Sequence, residues 1–148
     1  MKTPRLITAI GLALAAETAA AACGAPSVQV TGTANLTSLL SGNTICVGSP
    51  PTWNWQEEHH PGGALVDYKR GPSHPVDPTK QVGTWQVSGD NVVYTYTGGS
   101  QFGFQVWNNG DGSYSFCGVI GTGSRIDATI KLGTGSGCGD GNPPESPT

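Results

Sequence analysis

GTWQVSGDNVVYTYTGGSQFGFQVWNNGDGSYSFCGVI, residues 83 to 120, alternates apolar and polar side chains between closely spaced turn signals. Trp85 and Val87 share one face, as do Val92, Tyr94 and Tyr96. Phe102, Phe104 and Val106 follow, with Gln101, Gly103 and Gln105 opposite, and then come Tyr114 and Phe116. A period of two with one apolar face describes antiparallel strands that cover a core on one side. Ser88-Gly89-Asp90-Asn91, Gly98-Gly99 and Asn108 to Gly112 mark the hairpin turns between them.

The pattern continues in both directions. Downstream, Ile126, Ala128, Ile130 and Leu132 alternate with Arg125, Asp127, Thr129 and Lys131. Upstream, shorter runs lie between Ser41-Gly42-Asn43 and Pro61-Gly62-Gly63. Strands are expected near 43–48, 52–59, 64–70, 82–88, 91–97, 101–107, 113–119 and 125–132, joined mostly by short connections. Strands so connected are neighbours in space. The expected fold is therefore all-β, an antiparallel up-and-down barrel of eight strands, which leaves no sticky edge. A two-sheet sandwich is the alternative. Asn35 to Ser41 carries Leu36, Leu39 and Leu40 at helical spacing, so one short N-terminal helical turn is expected, with Asn35 as its cap and Gly42 at its end. Gly71 to Lys80, with three prolines, reads as a stiff exposed loop.

The ends of the chain have a different character. Lys2 and Arg5 precede the apolar run Leu6 to Ala16, and small residues lead to Ala20-Ala21-Ala22. That is the layout of a secretory signal peptide, and the run is too short for a bilayer span of ~20 residues. The organisation expected is a signal over 1–22, a single barrel domain over 23–132 and a flexible Gly/Pro/Ser-rich tail over 133–148. Cys23, Cys46, Cys117 and Cys138 form an even set in an exported chain, which reads as two disulfides with three possible connectivities. A second reading makes Cys23 the lipidated first residue of an anchored lipoprotein, although Ala20 stands where that signal wants a Leu-like residue. The localisation expected is periplasmic or extracellular, in a bacterial host.

Cleavage removes Lys2, Arg5 and Glu17 from seven basic and ten acidic residues, leaving five against nine. A dispersed and net acidic charge disfavours nucleic acid or an anionic membrane as partner.

With only 11% of the chain charged, WNWQEEHHPGG at 53–63 concentrates reactive groups beside aromatics. On a strand, Trp53, Trp55, Glu57 and His59 share one face, and Asn54, Gln56, Glu58 and His60 the other. The indole face is the one expected to be buried. A turn centred on Pro61-Gly62 sets Glu57 against Val66, Trp55 against Tyr68 and Trp53 against Arg70. The candidate ligand-binding set is thus Trp53, Trp55, Glu57, His59, Tyr68 and Arg70: an apolar wall with a few orienting polar groups. The competing reading is plain core, with Glu57 and His59 at a solvated rim. Tyr94, Tyr96, Phe102 and Phe104 are read as core before ligand wall.

Gly42-Asn43-Thr44, the stretch Gly83 to Asp90 and Tyr114-Ser115-Phe116-Cys117, following the Leu-rich turn, resemble small exported lipocalin-like bacterial proteins. The resemblance spans residues 36 to 117 and implies a barrel with an interior pocket; it transfers no catalytic residue. The expected role is non-enzymatic binding of a small amphipathic or sugar-like ligand, with no cofactor. An envelope structural or protein-binding module, as inhibitor or adaptor, is one alternative. The other is a small secreted hydrolase in which Glu57, His59 and Arg70 act as base, acid and anion clamp, although no G-x-S-x-G nucleophile motif is present. Adjacent strand residues point apart, so His59 and His60 do not share a metal ion, and a site there would draw on Glu57 and His74.

Overall fold

A computed structural model describes residues 22–69, 71, 73–76, 78–121 and 124–139. The elements are β1 (Val28–Val30), α1 (Thr33–Leu40), β2 (Asn43–Gly48), β3 (Trp53–His59), β4 (Ala64–Asp67), β5 (Lys80–Ser88), β6 (Asn91–Tyr96), β7 (Gln101–Asn108), β8 (Ser113–Ile120) and β9 (Arg125–Leu132). Each strand from β2 to β9 pairs antiparallel with its neighbour in sequence, and β9 returns to β2. The eight strands therefore close into the meander barrel that the alternation specifies, not a two-sheet sandwich. This architecture is consistent with a lipocalin-like fold.

Two elements differ from the sequence reading. β1 is an additional strand, pairing Val28, Gln29 and Val30 with Asn108, Trp107 and Val106. It takes the edge of β7 beyond Phe104, where β6 stops. The helix begins before Asn35, at Thr33, with Gly32 as its cap residue and no side-chain cap. Asn35 instead donates from its amide to the Thr31 carbonyl at 2.9 Å.

α1 closes one end of the barrel. Leu36 and Leu40 have no exposed surface and join Leu65, Trp85, Val92, Val106 and Phe116 in the core. Removing two leucines from water contributes roughly 1.5–3 kcal/mol each, more than so short a helix gains from its own hydrogen bonds. Polar ties set its position. The Gly32 N–H donates to Asp90 in the β5–β6 turn at 2.7 Å, and the Gly42 N–H to the carbonyl of His59 at 2.7 Å.

Two disulfides, Cys23–Cys117 and Cys46–Cys138, resolve the connectivity. Such a pair suits an oxidising, extracytoplasmic environment. The sulfur that a lipid would occupy on Cys23 is bonded to Cys117. Residues 133–139 run along the outside of β2 and β3. There Thr44 Oγ1 donates to the Gly133 carbonyl at 2.7 Å, and the Cys138 N–H donates to Gln56 Oε1 at 2.7 Å. Residues 1–21, the bulk of the signal assignment, and 140–148 of the tail lie outside the described residues.

Candidate functional site

The barrel end opposite α1 opens into a cavity of about 730 Å3. Its floor is made by the buried residues Ile45, Tyr94, Phe104 and Phe116. Val47, Val82, Tyr96, Phe102 and Ile126, which are partly buried, form the wall above. Trp55, Lys69, Ser100, Ser124 and Arg125 stand at the rim. Alternation produces this cup because every second residue of a barrel strand points inward, and eight strands leave room for one small ligand when the inner residues do not fill it. The aromatic side chains meet edge to face or tilted, Tyr94 on Phe104 at 5.9 Å and Tyr96 on Phe102 at 6.0 Å.

Two carboxyl groups, Glu57 and Asp67, interrupt the apolar wall. Glu57 faces the cavity from β3, and both of its oxygens accept from the Tyr96 hydroxyl, at 3.0 and 3.2 Å. Burial pushes its pKa up to about 7, Asp67 adds to the rise, and the Tyr96 hydrogen bond and Lys69 oppose it. Asp67, directly across the β3–β4 ladder, is held by the Lys69 ammonium at 2.9 Å. At the rim, the Arg125 guanidinium is paired with Asp127.

Beneath the floor, His59 is wholly buried. Its Nδ1 lies 3.2 Å from the Glu57 carbonyl and its Nε2 2.8 Å from the Tyr94 hydroxyl. A carbonyl only accepts, so Nδ1 carries the proton and Nε2 accepts from Tyr94. Burial pushes the imidazole pKa down to about 4, so His59 is a neutral core residue.

The structure brings together Trp55 and Glu57 of the anticipated set, and it separates Trp53, His59 and Tyr68 from them. His59 is on the expected face but lies sealed below the cavity, its ring tilted against Trp85 at 5.2 Å and edge to face with Tyr94 at 5.4 Å. The β3–β4 register is one residue away from the expected one, with Glu57 opposite Asp67 and not Val66. The turn at Pro61 is the reason. Gly63 donates to the His60 carbonyl around Gly62 at φ +92°, but Gly63 is itself left-handed at φ +98°, and His60 donates to Ala64. The loop thus holds three residues where a two-residue centre was expected. Tyr68 accordingly lies on the outer wall, its ring packed against Gly137. Asp67 and Lys69 take the inward places.

Trp53 leaves the face of Trp55 because β2 and β3 slip past one another there: Val47 pairs with Trp55, but Gly48 pairs with Trp53, leaving Asn54 as a bulge. Gly48, at φ +103°, lets the Asn54 backbone approach closely. The Trp53 indole then donates outward to the Gly139 carbonyl at 2.5 Å. Arg70 lies outside the described residues. Glu58 and His60 are paired with each other at 2.8 Å on the outer face, and Glu58 also accepts from the Gly135 N–H at 2.5 Å. Among the described residues no group of three or more His, Cys, Asp or Glu side chains is placed to hold a metal ion.

The opposed shifts of Glu57 and His59 predict a specific pH response. Between about 4 and 6.5 the unfolded chain takes up a proton that folded His59 refuses, so stability rises with pH through that window. Between 4.5 and about 7 folded Glu57 keeps a proton that the unfolded chain releases, so stability falls as pH rises. Glu57→Gln removes the second response only. The stability of that variant relative to wild type should therefore climb by about 2–3 kcal/mol from pH 4.5 to 7, measured by urea unfolding. Parallel curves for the two proteins over this range would refute the assignment.

No protein-family model, no curated protein and no solved structure matches this chain.

Proposed function

We propose that this is an exported, non-enzymatic binding protein that holds one small amphipathic molecule in the open cup of its barrel, in the periplasm or outside the cell. The observation that carries this reading is an apolar, aromatic-lined cavity of about 730 Å3, open at one end and plugged at the other by α1. A cavity within the usual ~300–1,000 Å3 of a small-molecule site, with few polar groups convergent on it, is the ordinary form of such sites. A filled barrel would have been the more stable product of these strands, since unfilled volume forfeits packing contacts. A closed eight-stranded meander, consistent with a lipocalin-like fold, suits the same reading. Against the hydrolase alternative stands His59, whose two ring nitrogens are both engaged beneath the floor.

The test fills the cup. Val82 faces the cavity from β5, and Val82→Trp should occupy the space a ligand needs. Wild-type protein should take up one neutral naphthyl fluorophore per chain, with blue-shifted emission, and the variant should bind it at least roughly tenfold more weakly. Retained near-ultraviolet circular dichroism would establish that the variant is folded. Equal uptake by both proteins, or none by wild type, would sink the proposal.

A further inference from the structure

Within the cup, Glu57 is the one inward acid among the described residues whose ion pairing is left open. Asp67 is satisfied by Lys69 at 2.9 Å, and the rim cation Arg125 by Asp127. Glu57 accepts only from the neutral Tyr96 hydroxyl, and among the described residues no ion pair reaches it. An apolar wall that merely needed to be closed would carry a leucine here, because burying a carboxyl without a cation costs several kcal/mol. Among the described residues, those facing Glu57 are Ile45 from β2, Asp67 from β4 and Lys69 two positions beyond it, Tyr94 and Tyr96 from β6, with Arg125 of β9 at the rim. The two cations among them stand at the rim and are ion-paired with Asp67 and Asp127, and Lys69 acts on Glu57 through its field without an ion pair to it among the described residues. Rings do line the space next to it, with Tyr96 and Phe102 beside the carboxyl and Phe104 and Phe116 below. Aromatic faces attract an ammonium group, most strongly where water is excluded.

Resting on the binding role proposed above, we infer that the cup selects cationic amphiphiles: a protonated amine is held by Glu57 and the Tyr96 ring, and its apolar body lies across Phe102, Phe104 and Phe116. The same geometry makes capture proton-linked. Glu57 left to itself keeps its proton up to about pH 7, and an incoming ammonium stabilises the ionised form. Amine binding therefore releases a proton below neutrality and tightens as pH rises. An anionic head at the same depth would confront the carboxyl instead.

The experiment compares three probes that differ only in head group: decylamine, 1-decanol and decanoate, each displacing the neutral naphthyl fluorophore from the intact protein. At about pH 8.5 decylamine should bind roughly tenfold or more tightly than decanol, and decanoate more weakly than either. At about pH 5.5 the preference for the amine should shrink to a few-fold. Calorimetry near pH 6.5 in two buffers of different ionisation heat should show a proton released per decylamine bound and none per decanol. Glu57→Gln should collapse the amine-to-alcohol ratio to near one and abolish the proton release, its uptake of decanol serving as the check that it is folded. Equal affinity for amine and alcohol, tightest binding of decanoate, or a ratio that survives in Glu57→Gln would each overturn the amine assignment while leaving the binding role standing. Failure of all three probes and of the fluorophore would overturn both.

Discussion

Leu36→Ala combined with Leu40→Ala is expected to cost about 5 kcal/mol or more, enough to leave a barrel of this size largely unfolded at room temperature. Both side chains are fully buried, and together they are the stopper at the closed end of the barrel. Each truncation removes the transfer free energy of a buried leucine and leaves a void that α1 fills only by moving, and α1 is tied to Asp90 and to the His59 carbonyl. The two sites are one helical turn apart and share neighbours, so their costs are not expected to add independently. Urea unfolding of both single variants and the double variant reads the effect. A double variant within 1 kcal/mol of wild type would show that the helix rests on the barrel without sealing it.

Removing the Cys46–Cys138 bridge, by Cys46→Ala with Cys138→Ala, is expected to destabilise the protein by roughly 4 kcal/mol, with a fall in Tm of about 10 °C or more. The bridge spans 92 positions of the chain, so its loss restores a large conformational entropy to the unfolded state. It also fixes the segment 133–139 on which buried Glu58 depends, through the Gly135 N–H. Amide hydrogen exchange at Gly135 should accelerate in the variant well before the barrel amides respond. Unchanged Tm together with a protected Gly135 would mean that the segment is held by its hydrogen bonds alone.

The alternation of residues 83–120 made the barrel legible because each strand has one face against the core and a turn of glycine or asparagine at each end. β1 was not legible: Val28-Gln29-Val30 is too short to show a period, and it exists as a strand only because β7 outruns β6. In the site, Trp55 and Glu57 were readable from parity along β3. The partners across the hairpin were not, since a second left-handed glycine at 63 shifts the ladder by one residue and exchanges Val66 and Tyr68 for Asp67 and Lys69. Trp53 was lost to the bulge at Asn54, which depends on the approach of Gly48 from a neighbouring strand, a contact that no local pattern announces. Tyr96 and Phe102 were read as core and prove to be both core and wall, since the same apolar alternation builds a filled barrel and a hollow one.

The strap over β3 divides that strand between two separate tasks. Trp55 and Glu57 address the lumen, while Gln56 and Glu58, one step out of phase, grip the backbone of Cys138 and Gly135. The two faces meet at Lys69, which stands at the rim while its carbonyl accepts from Gln56 Nε2 at 3.3 Å; otherwise the shape of the lumen and the fastening of residues 133–139 are written in different letters of one short word. Under the binding role proposed above, substitutions that retune the lumen leave the clasp on Cys138 and Gly135 in place.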